Sequence, residues 1–400
     1  MTVVTLVVCM LAFFGAFPGF TGENASGQEV RGLWVVRDTI TTPEGVRKLV
    51  EFADSNDFNV LFVQVRGRGD AYYHSYFVPG PEGHPQIPEV FDPLEEVIRQ
   101  AHERGIEVHA WLNMYFTWSA DTPPSDPGHP LNSHPEWFMV SIDGLGMAYC
   151  PIDSVRNETC EGRYLSPMIG EVRDYLSRVV TEVLVTYNVD GIHLDYVRYP
   201  GRDFDFHPRV GYDFSRLYGV DPRDVAYGNI AVDPTLQYLG KWIEYRAEQI
   251  DFQVKSIKRR IDIVDPGIRL SAAVKAHADE AYYKFGQNWA GWLNEGILDF
   301  VVTMSYYPDT NTYQEVMEAD FEKVDPRRIV GGIGLYRIDP VRAAEQVSLV
   351  RRLGLLGYCF FSYTTFWEDP SLAGKLSSLV TPSGSGLPPE FRPYVRNVYE

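Results

Sequence analysis

The sequence predicts an α/β fold: a single (β/α)₈ TIM barrel with long loops at the C-terminal face of its strands. Three observations carry that expectation. Short apolar segments alternate with amphipathic helical stretches from residue 30 onward, and eight such segments can be counted. Within the strands an aliphatic face alternates with a bulky or polar one. The longest loops follow strand ends where the polar residues gather, which is where barrel enzymes place their chemistry.

The strand segments, in order, are 31–37 (RGLWVVR), 59–66 (NVLFVQVR), 107–113 (EVHAWLN), 190–195 (DGIHLD), 268–274 (IRLSAAV), 299–306 (DFVVTMSY), 328–335 (RIVGGIGL) and 357–362 (GYCFFS). Helical patterns fill the gaps. Thr42-Pro43 supplies a cap and a first-turn proline. Residues 91–105 (FDPLEEVIRQAHERG) have an acidic start, basic residues near the end and a closing glycine. Residues 171–187, 238–260 and 340–354 supply further helices. A doubly wound open sheet is the alternative, but no G-x-G-x-x-G follows the first strand.

Alternation assigns the faces. Leu61, Val63 and Val65 oppose Phe62, Gln64 and Arg66. Val108, Ala110 and Leu112 oppose His109, Trp111 and Asn113, while Ile192 and Leu194 oppose His193 and Asp195. In each strand the polar face ends at the C-terminal residue: Arg66, Asn113 or Asp195. The loops that follow strands two, three and four are long and rich in Tyr, Phe, Trp and His, which marks them as cleft walls rather than disordered segments.

Three segments follow from composition. Residues 1–27 open with an apolar run whose length suits a secretory signal, and an uncleaved N-terminal anchor is the other reading because no Lys or Arg precedes it. Residues 28–380 form the barrel, and residues 381–400 a Pro/Gly-rich tail. Export would let Cys150 and Cys160 pair across a short polar loop, while Cys359 sits in a strand as a small hydrophobe. With 54 acidic against 36 basic residues the net charge is −18, which argues against nucleic acid or anionic lipid as a partner. Apart from an N-terminal anchor, no membrane association is expected.

Glycosidic hydrolysis needs a carboxylic acid to protonate the leaving oxygen and a second carboxylate to attack or to activate water. Asp195 is the leading candidate, because an inward charge ending an apolar strand is costly unless used or paired. Its plain alternative is a structural carboxylate bonded to loop amides or to Arg198. Asp70 and Asp309 are candidates for the second carboxylate, with Glu368 a rival; each could equally be a loop cap. Asp190 and Asp299 begin their strands and belong at the opposite, stabilising end. Arg66, Asn113 and Arg198 suit hydrogen bonding to sugar hydroxyls or to a carboxylate-bearing sugar, or else pair with rim acids and carbonyls. Trp111, Tyr306, Tyr336, Tyr363 and Trp367 are stacking candidates, or barrel filling. His193, one layer beneath Asp195, and His109 on the neighbouring strand raise the question of metal. Neither H-E-x-x-H nor H-x-H spacing is present, and no metal or other cofactor is expected. No G-x-S-x-G elbow or P-loop supports ester hydrolysis or phosphoryl transfer.

These stretches resemble the bacterial glycosyl-hydrolase-like family 10 barrels. The resemblance is carried by RGLWV, NVLFVQVRGRGDAYYHS, EVHAWLNMY, HPEW at 134–137, SPMIGEVRDYLSRVVTEVLVTYNVDGIHLDYVRYP, NWAGWLNEGILDFVVTMSYY and FFSYTTFW, in order from about residue 30 to 370. It implies a glycosidase-type barrel, export to the envelope or beyond, and action on a polysaccharide; some members look like enzymes that cut peptidoglycan glycan strands. Two departures stand out: no lipobox is present, and a single Asp195-Tyr196 replaces the D-D-Y pattern frequent in relatives. Three readings follow: a glycoside hydrolase centred on Asp195, a catalytically silent polysaccharide-binding barrel, and, more weakly, a metal-dependent hydrolase.

Overall fold

The computed structural model describes residues 29–82, 90–157 and 160–377. The apolar N-terminal run and residues 381–400 lie outside the described residues. Eight strands close into a barrel: β1 (Val30–Val35), β2 (Val60–Arg66), β3 (Glu107–Asn113), β4 (Gly191–Asp195), β5 (Arg269–Val274), β6 (Phe300–Thr303), β7 (Ile329–Gly334) and β8 (Gly357–Phe361). Each pairs in parallel with its neighbours in sequence, and β8 returns to β1 through Val30 opposite Gly357.

Period-two alternation splits the core into two layers. Trp34, Phe62, Trp111, Phe300, Val302 and Cys359 fill the interior. Leu33, Leu61, Val63, Val108, Ile192 and Leu194 face outward into the helix layer. Helix α1 (Pro43–Ser55) starts where Thr42 Oγ1 accepts from the Gly45 amide at 3.1 Å. Helix α2 (Pro93–His102) starts where Asp92 accepts from Leu94 and Glu95 at 3.0 and 3.1 Å. In both, a proline occupies the first turn, where its missing N–H costs nothing. Helices α3 (Gly170–Thr186) and α4 (Gln237–Val264) lie together, joined by Gln253 Nε2 donating to Ser177 Oγ at 3.0 Å. A satellite core of Phe206, Val210, Phe214, Val225 and Trp242 sits under the insertion that follows β4.

Two strand ends differ from expectation. The sixth strand stops at Thr303 rather than 306, because the Tyr307 amide turns back to the Ser305 carbonyl at 2.9 Å. In β2 the register shifts between Gln64 and Arg66, so Arg66 lies opposite Leu112 rather than Asn113. That one extra residue turns Arg66 off the interior face.

The N-terminal end of the barrel is closed by Asp190, Asp299 and the buried ring of His109. Asp190 accepts from the Val108 amide at 2.7 Å and sits 2.8 Å from His102 Nε2. Asp299 accepts from the Leu270 amide at 2.7 Å. His109 plugs the interior, accepting from Arg269 Nη2 at 3.1 Å, and burial pushes its imidazole down to about 4. Among the described residues no helix is long and apolar enough to cross a membrane.

Candidate active site

At the other end of the barrel Asp195 closes β4 with 6% of its surface exposed. Trp111 and Asn113 stand two apart on β3 and therefore share a face with it. The Trp111 indole N–H is shared between Asp195 Oδ2 and Asn113 Oδ1, each at 3.1 Å. Asn113 Oδ1 also receives Gln64 Nε2 at 3.4 Å, and Gln64 Oε1 in turn accepts from Arg37 Nη1 at 2.9 Å. Asn113 Nδ2 donates to the Gly67 carbonyl at 2.8 Å. The other Asp195 oxygen accepts the Tyr196 amide at 2.6 Å. Tyr196 takes φ 49°, a left-handed conformation that tyrosine rarely adopts, and its ring is held by stacking on Phe116 at 4.7 Å. Burial pushes the Asp195 carboxyl up to about 6 and Glu161 adds to the rise, while Arg198, the Tyr196 amide and Trp111 pull against it.

Basic groups surround this acid in an otherwise acidic chain. Arg198 is buried, its guanidinium 4.8 Å from the Tyr196 ring and 5.7 Å from that of Phe285. Its Nη2 lies 4.0 Å from Glu161 Oε2, and its Nε has no hydrogen-bond partner among the described residues. Lys275 follows β5, and burial together with Arg198 pushes its ammonium down to about 8 against the pull of Glu161 and Asp195. Opposite stands an aromatic wall. Tyr306 packs against Phe361 at 5.4 Å, Tyr336 at 6.0 Å and Trp34 at 6.3 Å. Burial first, and then the Asp195 charge, keep the Tyr306 phenol well above its ordinary range. Tyr336 leaves 53% of its surface open.

His193 lies below this layer with both ring nitrogens engaged. Trp34 can only donate, so Nε2 accepts its indole N–H at 3.2 Å and Nδ1–H points to Ser271 Oγ at 2.9 Å. Burial holds the ring neutral, far below the usual histidine range. This arrangement fixes the core rather than presenting a ligand.

The residues singled out from the sequence therefore separate. Trp111, Asn113, Asp195, Arg198, Tyr306 and Tyr336 are brought together, with His193 beneath them. Arg66 is directed into the helix layer, donating to the Asn113 and Met114 carbonyls. Asp70 is buried in a turn where Oδ1 accepts the Arg68 amide at 2.7 Å, outside the Asp195 network. Asp309 is exposed and caps the helix Thr310–Glu318 through the Thr312 amide at 2.8 Å. Tyr363 packs on Phe52 of α1 at 5.3 Å, and Trp367 lies near Lys48 of the same helix, both away from Asp195. Cys150 and Cys160 are free thiols, with Cys160 Sγ directed at the Gly162 carbonyl at 3.3 Å. Glu161 and Lys275 were not anticipated. Both lie beyond strand segments, Glu161 in an inserted loop whose local sequence carries no signal; Lys275, one residue past a strand end, could have been found by extending the strand-end rule.

Residues 29–348 match the family described as Glycosyl hydrolase-like 10. The chain belongs to this family. Among curated relatives of the glycosyl hydrolase-like 10 chain, glycosyl hydrolase YngK of Bacillus subtilis (strain 168) is 23% identical over 414 residues, covering 91% of this chain and 74% of that protein. Glycosyl hydrolase DigH of Escherichia coli (strain K12) is 25% identical over 368 residues, covering 81% and 77%. In structure, the chain is similar to the PgaB (BpsB) glycoside hydrolase domain from Bordetella bronchiseptica. The TM-score there is 0.65 at 16% identity, over 88% of this chain and 99% of that one, a likeness of fold.

Proposed function

We propose that the chain hydrolyses glycosidic bonds in a cell-envelope or extracellular polysaccharide, peptidoglycan glycan strands among the foremost substrates, with Asp195 as the proton donor. The observation that carries this reading is the state of Asp195. It is an inward carboxyl at the catalytic end of a barrel strand, oriented by an indole and an amide N–H, and raised to about 6 by burial. A carboxyl so tuned keeps its proton in mildly acidic solution and can give it to a leaving oxygen. The aromatic wall of Tyr306, Phe361 and Tyr336 offers stacking faces for sugar rings, and Arg198 and Lys275 suit a hydroxyl-rich or carboxylate-bearing sugar. Export through the apolar segment 1–27, cleaved or kept as an anchor, would bring the barrel to such a polymer.

Incubating the purified mature protein with peptidoglycan sacculi and a polysaccharide panel tests this. New reducing ends that vanish in Asp195→Asn support hydrolysis. Binding of the polymers without any new ends would instead make the barrel a silent polysaccharide-binding module.

A further inference from the structure

We propose that Glu161 is the second carboxylate of the reaction, the base that activates water while Asp195 protonates the leaving oxygen. This inference rests on the hydrolytic reading above. Three observations lead to Glu161. First, it is held at the C-terminal face by a small hairpin in which Arg163–Tyr164 pairs with Phe116–Trp118, directly after β3. Gly162 makes that approach possible, since a Cβ there would lie 2.3 Å from the Trp118 carbonyl. Second, Glu161 and Asp195 share one cation. Arg198 Nη2 is 4.0 Å from Glu161 Oε2, and the same guanidinium acts on Asp195. Arg198 is buried, and its Nε–H has no hydrogen-bond partner among the described residues, so the cation that acts on both acids is incompletely satisfied. Third, Glu161 is the accessible member. Its side chain is 48% exposed, where Asp195 forms the floor. An ion pair that long on a half-exposed side chain holds little structure together, so stability does not explain the placement. Tyr164 Oη, 3.5 Å from Glu161 Oε2, orients the carboxylate.

The step balances with water alone. Asp195 gives its proton to the glycosidic oxygen as the bond from that oxygen to the anomeric carbon breaks. Glu161 takes a proton from a water whose oxygen forms the new bond to the same carbon. One water is consumed, an alcohol and a hemiacetal leave, and a proton passing from Glu161 to Asp195 through solvent resets the pair.

The test uses the mature chain and its variants on peptidoglycan sacculi, with reducing ends as the readout. Glu161→Gln is expected to lower kcat by about 100-fold or more while leaving KM nearly unmoved. Glu161→Ala with added azide is expected to regain turnover and leave glycosyl azide ends, detected by mass spectrometry, because a small anion replaces the missing base and water. The pH profile of Glu161→Gln should also lose its basic limb at lower pH. Glu161 helps hold the proton on Asp195, and the other groups facing that carboxyl (Arg198, Lys275, Trp111, Tyr164, Tyr196 and Tyr306) are kept in the variant. Wild-type kcat in Glu161→Gln, or a rise in KM alone, would overturn the assignment and leave Glu161 as a positioning partner of Arg198. A wild-type protein as inert as Asp195→Asn on every polymer would overturn the hydrolytic reading itself, and this inference with it.

Discussion

The two ends of β4 hold one acid each, Asp190 before the strand and Asp195 at its close, and they are treated in opposite ways. Asp190 leaves 34% of its side chain open to solvent and spends its carboxylate on the Val108 amide and His102, pinning β3 to β4. Asp195 is buried, raised to about 6, and set beside a strained tyrosine and an incompletely satisfied arginine. The lower end uses charge to lock strands together. The upper end keeps its charge raised and incompletely paired, a pattern that clusters at functional sites.

Substitutions at the two ends of β4 should act in opposite ways. Asp195→Asn should cost the largest effect, about a 1,000-fold loss or more in kcat/KM. The same variant should be more stable than wild type at pH 8. A carboxyl raised in the fold from 3.8 to about 6 destabilises the native state progressively as pH rises through that window, by at most about 3 kcal/mol once fully ionised. Thermal unfolding of the two proteins at pH 4 and pH 8 checks this, and a variant less stable at pH 8 would refute it. Next, wild-type kcat/KM should fall about tenfold per pH unit above the Asp195 value of about 6, as the proton donor is lost. Asp190→Ala should reverse the pattern of Asp195→Asn. About 1–2 kcal/mol of stability is lost because the Val108 amide is left without its partner, with activity per folded molecule intact. Loss of turnover without loss of stability there would erase the distinction between the ends. The smallest effect belongs to Trp111→Phe. Removing the indole N–H from Asp195 Oδ2 should shift the basic limb upward in pH, because that bond favours the ionised form.

Much of the barrel was legible because period-two alternation is a local property. Leu61 and Val63 point outward and Phe62 inward for the same reason that Ile192 and His193 do. Asp195, Trp111 and Asn113 were reachable through the rule that strand ends face the cleft. Arg66 followed the same rule and was misplaced, because the shift after Gln64 depends on pairing with β3 and leaves no mark in the sequence of β2. Tyr363 and Trp367 lie on a short helix, Tyr363–Glu368, whose packing on α1 is tertiary information. Glu161 was invisible for a related reason: a hairpin closed from residues far apart in sequence brings it to Arg198.

The line of bonds from Arg37 through Gln64 and Asn113 to Trp111 has a further consequence. Arginine and indole can only donate, so each amide in between has one permitted orientation: the Gln64 oxygen must face Arg37, and the Asn113 oxygen must face Gln64 and Trp111. Neither amide can flip without placing two donors nose to nose. The dipoles beside Asp195 are therefore set before any sugar arrives, and when negative charge grows on that carboxyl nothing around it has to turn.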